Sequence, residues 1–139
     1  MIRACYYLSM ISILSACEVS PQAINYEIDQ CSACKMTISD PRFGAELITT
    51  KGKIFKFDAI ECMVPELLKS GTSGYSYILA TDYNNPGVLV EAQKLYFLIS
   101  REIPSPMGGF LSAYSNRDVK NVKDIMWYNW PELLDHFQK

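Results

Sequence analysis

Between Asp82 and Gly87 the chain reads Asp82-Tyr83-Asn84-Asn85-Pro86-Gly87, an unbroken run of turn-forming residues, and regular secondary structure does not continue through such a run. It divides the sequence into two short halves, neither of which encloses much of a core alone. The chain is therefore expected to fold as two small units sharing one apolar interior.

Each half carries a similar pattern. In the first, residues 43–50 and 53–58 read as strands joined by the turn Lys51-Gly52, which makes a hairpin. Asp58 followed by Glu61 has the form of a capping box, and Ile60, Val64, Leu67 and Leu68 fall on one helical stripe that ends at Ser70-Gly71. The spacing predicts a helix over about 59–69. Residues 75–81, rich in tyrosine and β-formers, return as a strand. In the second half, 88–100 reads as one long strand, apolar on both faces, followed by the proline-rich loop from Ile103 to Gly109. Residues 110–114 restart a strand, Ser115 with Asp118 forms a second capping box for a helix over about 116–125, and 126–129 is a short strand. Pro131 then opens a terminal helix carrying Leu133, Leu134 and Phe137. The expected fold class is α+β: two small ββαβ-type units packed together, at about 27–83 and 88–139, within a domain spanning 27–139. Similarity between Gly44-Ala45-Glu46-Leu47-Ile48 and Glu91-Ala92-Gln93-Lys94-Leu95 is too weak to establish an internal repeat.

Ahead of that domain, residues 1–16 carry Arg3, a short apolar run and then Ser15-Ala16 before Cys17, the pattern of a cleavable signal peptide. The run is about half the ~20 residues a membrane-spanning helix needs. Leu14-Ser15-Ala16-Cys17 resembles the lipobox of bacterial lipoproteins. That resemblance implies lipidation at Cys17, a lipidated tether over residues 17–26, and a domain anchored to a bacterial membrane on its extracytoplasmic, periplasmic side. An ordinary signal peptide that happens to precede a cysteine is the alternative. Acidic residues outnumber basic ones, 15 to 13, with no basic run, which argues against nucleic-acid binding.

Cys5 leaves with the leader and Cys17 is taken by lipid, so Cys31, Cys34 and Cys62 remain. An odd number of thiols in an oxidising compartment means a disulfide plus a free thiol, or thiolates held on a soft metal. The stretch Cys31-Ser32-Ala33-Cys34-Lys35-Met36 places two thiols and a thioether close together. Such donors select Cu(I), whereas zinc ordinarily takes four donors and magnesium or calcium take oxygen. His136, the single histidine, reads as a surface residue of the last helix. A thioredoxin-type C-x-x-C opens a long helix, and Pro41 follows too soon for one. Cys62 lies about 200° around its helix from Ile60 and reads as an inert, half-buried thiol in preference to a ligand. Met63 reads as core, while Met107, between Pro106 and Gly108-Gly109, sits in a loop where no periodicity accounts for it. Paired carboxylates, a serine-histidine arrangement and a phosphate-cradling loop do not stand out, so bond-making catalysis is not expected.

Taken in order, the lipobox cysteine, Cys31 to Met36, Pro41-Arg42-Phe43-Gly44-Ala45-Glu46, Lys53-Ile54-Phe55-Lys56-Phe57-Asp58, Glu91-Ala92 and Ser105-Pro106-Met107-Gly108 resemble the NosL family. Its members are periplasmic copper-chaperone lipoproteins associated with maturation of nitrous oxide reductase, an enzyme of denitrification. The resemblance implies a metallochaperone that carries Cu(I) outside the inner membrane and delivers it to copper-acceptor maturation proteins or to the reductase. It also implies a fold similar to a pair of small ββαβ units. The cysteine and methionine of the family's C-G-M motif fall on Cys34 and Met36, and Met107 matches its proline-methionine-glycine loop. Two positions depart: the motif glycine is Lys35, and Ser39-Asp40 stands where some relatives have a histidine, which leaves Cys31 as a replacement donor. The expected metal ligands are thus Cys31, Cys34, Met36 and Met107. Two other readings stay open: a periplasmic thiol-disulfide protein using the Cys31/Cys34 pair, and a structural lipoprotein in which that pair is a permanent disulfide.

Overall fold

The computed structural model describes residues 18–139; the signal peptide expected at 1–16 and the acylation expected at Cys17 lie outside the described residues. No helix among the described residues is long and apolar enough to cross a membrane.

The first sheet grows from the hairpin of β1 (Ala45–Thr49) and β2 (Ile54–Phe57), paired from Ala45 against Phe57 to Ile48 against Ile54. Gly52 closes the turn at φ 83°, a left-handed angle that glycine adopts without a Cβ clash. Helix α1 (Ile60–Ser70) follows, and β3 (Tyr75–Thr81) returns antiparallel along the other side of β1. With β4 (Leu89–Glu91) the strand order is β2-β1-β3-β4. The second sheet has β5 (Tyr96–Ile99) between β6 (Leu111–Tyr114) and β7 (Met126–Tyr128), and helix α2 (Trp130–Gln138) closes the chain. Ile60, Met63, Val64 and Leu67 of α1 share one buried cluster with Leu47, Phe57 and Ala80 of the first sheet and with Phe97, Leu111, Trp130 and Leu133 of the second half. This is the α+β class expected from the pattern, realised as two small sheets and two helices around a common interior.

Several local expectations are corrected. The long strand read over 88–100 is broken: β4 belongs to the first sheet, β5 to the second, and a 3₁₀ turn at Ala92–Lys94 lies between them. Ala92 and Leu95 both enter the core. A spacing of three puts two side chains on opposite faces of a strand but on the same side of a 3₁₀ turn, so burying both requires the break. The passage between units therefore falls at this crossover and not at the loop 82–87.

The helix read over 116–125 does not form. Asn121 and Asp124 take left-handed φ of 61° and 51°, which interrupts a helix, and Ser115 Oγ donates to Asp82 Oδ2 across the units and caps nothing locally. Val119 and Val122 still reach apolar surroundings, packing on a second cluster of Phe43, Leu98, Ile103 and Tyr114, while Arg117 lies over the Tyr96 ring at 4.7 Å. The helix of this unit is α2, where Asn129 and Glu132 exchange the two bonds of a capping box. At α1 the anticipated Asp58/Glu61 box is absent, since the N-cap is Ala59 and no side chain caps it.

The segment read as a tether over 17–26 is partly built into the domain. Ile24 is buried in the main core, and the Gln22 N–H donates to Oε1 of the fully buried Glu46 at 3.0 Å. Lys56 Nζ donates to the Ala23 carbonyl at 2.8 Å and to Asp29 Oδ2 at 2.6 Å, in a largely shielded ion pair. Of the described residues, 18–21 precede these contacts. A charged hydrogen bond this shielded is worth about 1.5–3 kcal/mol, so Lys56→Ala is expected to lower unfolding free energy by about 2 kcal/mol in urea denaturation and to expose residues 22–30 to proteolysis before the sheets.

Candidate metal centre

The chain turns back on itself over residues 27–38. Glu27 N–H donates to the Ile38 carbonyl at 2.8 Å, Ile38 N–H to Asp29 at 2.9 Å, and Gln30 pairs with Thr37 in an antiparallel bridge. The tip is closed by Cys31 N–H to Met36 at 2.8 Å and Lys35 N–H to Cys31 at 3.0 Å. Ser32 N–H donates to the Lys56 carbonyl at 2.7 Å, which fastens the tip to β2. Lys35 holds φ at 65°, a left-handed angle where glycine is at ease and other residues are strained by roughly 1 kcal/mol. Its ammonium donates to the Ser32 carbonyl at 2.7 Å, a local contact that a glycine lacks.

From the other side, β2 ends at Phe57, and Asp58-Ala59 turns into α1, whose first turn carries Cys62. The two elements bring the sulfurs of Cys31, Cys34 and Cys62 within 4.8 Å of one another, and all three cysteines are free. Cys31 and Cys62 are buried, and Cys34 is half-buried at the rim. Cys62 thus lies with the other two thiols, although its helical phase pointed it away from the apolar stripe toward a cleft or solvent. A third thiol left over beside a C-x-x-C, predicted to sit in the opening turn of a helix, was the signal for it. Among the described residues, no histidine or carboxylate joins this group.

The electrostatics of the group centre on Cys31. Its sulfur accepts a hydrogen bond from the Cys62 thiol and is further held by the backbone N–H groups of Asp58, Cys34 and Ala33, which together outweigh burial and lower its pKa to about 4. Cys62 is pushed up, first because ionising it would break its bond to Cys31, then by burial and by repulsion from the Cys31 thiolate. Burial likewise raises Asp58.

The other two expected ligands, both thioethers, are exposed. Met36 is 56% exposed just beyond the tip, and Met107 is 42% exposed in the turn closed by Gly108 N–H to the Ser105 carbonyl at 3.0 Å. Met63 is fully buried, as its phase on α1 indicated. His136 is exposed with its ring 5.0 Å from that of Tyr128.

The fold is similar to that of the copper chaperone NosL from Shewanella denitrificans, with a TM-score of 0.70 and 18% sequence identity, over 83% of this chain and 96% of that one. No protein-family profile matches the chain, and no curated protein sequence does.

A depressed thiol pKa adds stability that is complete above the ordinary thiol range of about 8.5 and is lost as pH falls toward the folded value. Ultraviolet thiolate absorbance of the reduced, metal-free chain is expected to show one thiolate at neutral pH. It should disappear on acidification through about 4, after stability has already fallen between the ordinary thiol range and that value. Cys31→Ser should abolish the neutral-pH signal, while Cys34→Ser should retain it.

Proposed function

We propose that this chain is a Cu(I) metallochaperone, held to a membrane through Cys17 on the extracytoplasmic side, that passes copper to proteins maturing nitrous oxide reductase. The observation that carries the proposal is the group of three free sulfurs within 4.8 Å. Bonds of about 2.3 Å from one metal to three thiolates in a plane set the sulfurs about 4 Å apart, which this group accommodates with little movement. Three soft donors with no histidine or carboxylate among them suit a monovalent d¹⁰ ion better than zinc, which favours four donors.

In this reading Cys31, Cys34 and Cys62 hold the cargo. Cys31 is ready as a thiolate, and copper replaces the proton that Cys62 otherwise shares with it. Cys34 stands at the rim, and Met36 and Met107 are exposed thioethers that can enter or leave as copper moves. Three-coordination leaves room for an incoming ligand to bind before an outgoing one departs, so release need not pass through a bare ion. The NosL-like fold supports the same reading. A thiol-disulfide carrier, by contrast, needs an accessible nucleophile, and the sulfur held as thiolate belongs to a fully buried residue.

The test is anaerobic Cu(I) titration of the reduced full-length chain in detergent against bicinchoninate. One copper per chain is expected, with Cys31→Ser, Cys34→Ser and Cys62→Ser each weakening binding by about 100-fold or more, the cost of leaving a soft site one donor short. Met36→Leu should retain most of the affinity. Equal uptake by the wild type and all three cysteine variants would remove the basis of the proposal.

A further inference from the structure

Glu61 directly precedes Cys62 in the first turn of α1, yet its carboxylate does not cap that helix. Oε1 accepts a hydrogen bond from Ser105 Oγ, and Ser105 Oγ in turn accepts the Phe110 N–H at 2.9 Å. Ser105 is 8% exposed and its carbonyl closes the turn that presents Met107. Gly109 lies so close that a Cβ there would come within 2.7 Å of Glu61 Cγ and 2.8 Å of Oε1. The loop from Ser105 to Phe110 is therefore fitted against this one side chain, through one hydrogen bond to its carboxylate, a second within the loop, and a contact at Gly109 that a larger residue could make only by displacing Glu61.

Glu61 Oε2 is buried without a hydrogen-bond partner. Burying one oxygen of a carboxylate unpaired is unfavourable, so this arrangement is a poor one for stability alone. What it does achieve is positional: a loop from the second unit is seated on the residue adjoining a thiol of the candidate metal centre. We infer that Glu61 and Ser105 form a latch that seats the Met107 turn on the first turn of α1, the turn that carries Cys62, and thereby sets the rate at which bound metal is released. The inference rests on the Cu(I) reading for its function, while the latch itself is a property of the metal-free protein. Glu61 and Ser105 act here as positioning residues, since neither needs to touch the ion; the group they position is the Met107 thioether.

Two measurements on the full-length chain in detergent test it. In the metal-free protein, Ser105→Ala and Glu61→Ala should each raise hydrogen exchange at the Gly108 and Phe110 amides about tenfold, as expected when a local closing interaction is lost. Glu61→Gln, which keeps an acceptor oxygen, should recover most of that protection. In the Cu(I)-loaded protein, transfer to excess bicinchoninate should change by the same factor in Ser105→Ala and Met107→Leu, and the double variant should go no further than either single one. Unchanged exchange in the Ser105 variant overturns the latch, even if the Glu61→Ala protein fails to fold. Multiplying effects of Ser105→Ala and Met107→Leu overturn its action through Met107. Loosened exchange in the variants, with no copper taken up by the wild type, upholds the seat and overturns its metal-release role together with the copper reading.

Discussion

The sulfur of Cys31 is the point on which three stretches of chain depend. It is fully buried, and a buried thiolate is tolerated only when donors replace the water it has lost. Those donors are backbone N–H groups of Ala33 and Cys34 in the tip of the N-terminal turn, the N–H of Asp58 at the exit of β2, and the thiol of Cys62 on α1. A single acceptor thus ties the turn, the end of a strand and the start of a helix together. The other two sulfurs lie within 4.8 Å of it and of each other, so the groups that lower its pKa converge at the same place as the three-sulfur site.

The remainder of the fold keeps that alignment rigid. Ser32 N–H on the Lys56 carbonyl and Lys56 Nζ on Ala23 and Asp29 hold the turn against β2 from both sides. Helix α1 cannot shift without disturbing a core that extends through both sheets to Trp130 and Leu133. The second unit contributes more than burial, because its Ser105–Phe110 loop crosses to the first turn of α1. The rigid sulfurs come from the first unit and the exposed thioether of Met107 from the second. On the proposed function, rigid binding and mobile handover would fall to different parts of one small domain.

Much of this was legible in the residues and some was not, for identifiable reasons. Period and turn chemistry suffice for β1, β2, α1 and β3, whose β-forming runs, apolar helical stripe and bounding glycines Gly52 and Gly71 agree with the elements formed. They fail at 88–100, where a continuous apolar run conceals a change of sheet, and at 116–125, where Val119 and Val122 have helical spacing but are buried from a loop with two left-handed residues. The Cys31/Cys34 pair is plain from its spacing. Cys62 is not, since a helical wheel gives direction about one axis and is blind to a turn arriving from thirty residues earlier in the chain. Glu61 was misread for a related reason: its offset from Asp58 matches a local motif, while its actual partner, Ser105, is distant in sequence. Lys35 shows the converse: standing where the resemblance puts a glycine, it is held at a left-handed angle that glycine adopts freely and lysine only under strain.

The most direct examination of the central claim is X-ray absorption at the copper edge of the Cu(I)-loaded chain. The account predicts a shell of three sulfurs near ~2.3 Å, the usual length of a thiolate–metal bond, falling to two when Cys62 is replaced by serine. A two-sulfur, linear centre that is the same with and without Cys62, or a shell dominated by nitrogen or oxygen, would contradict it.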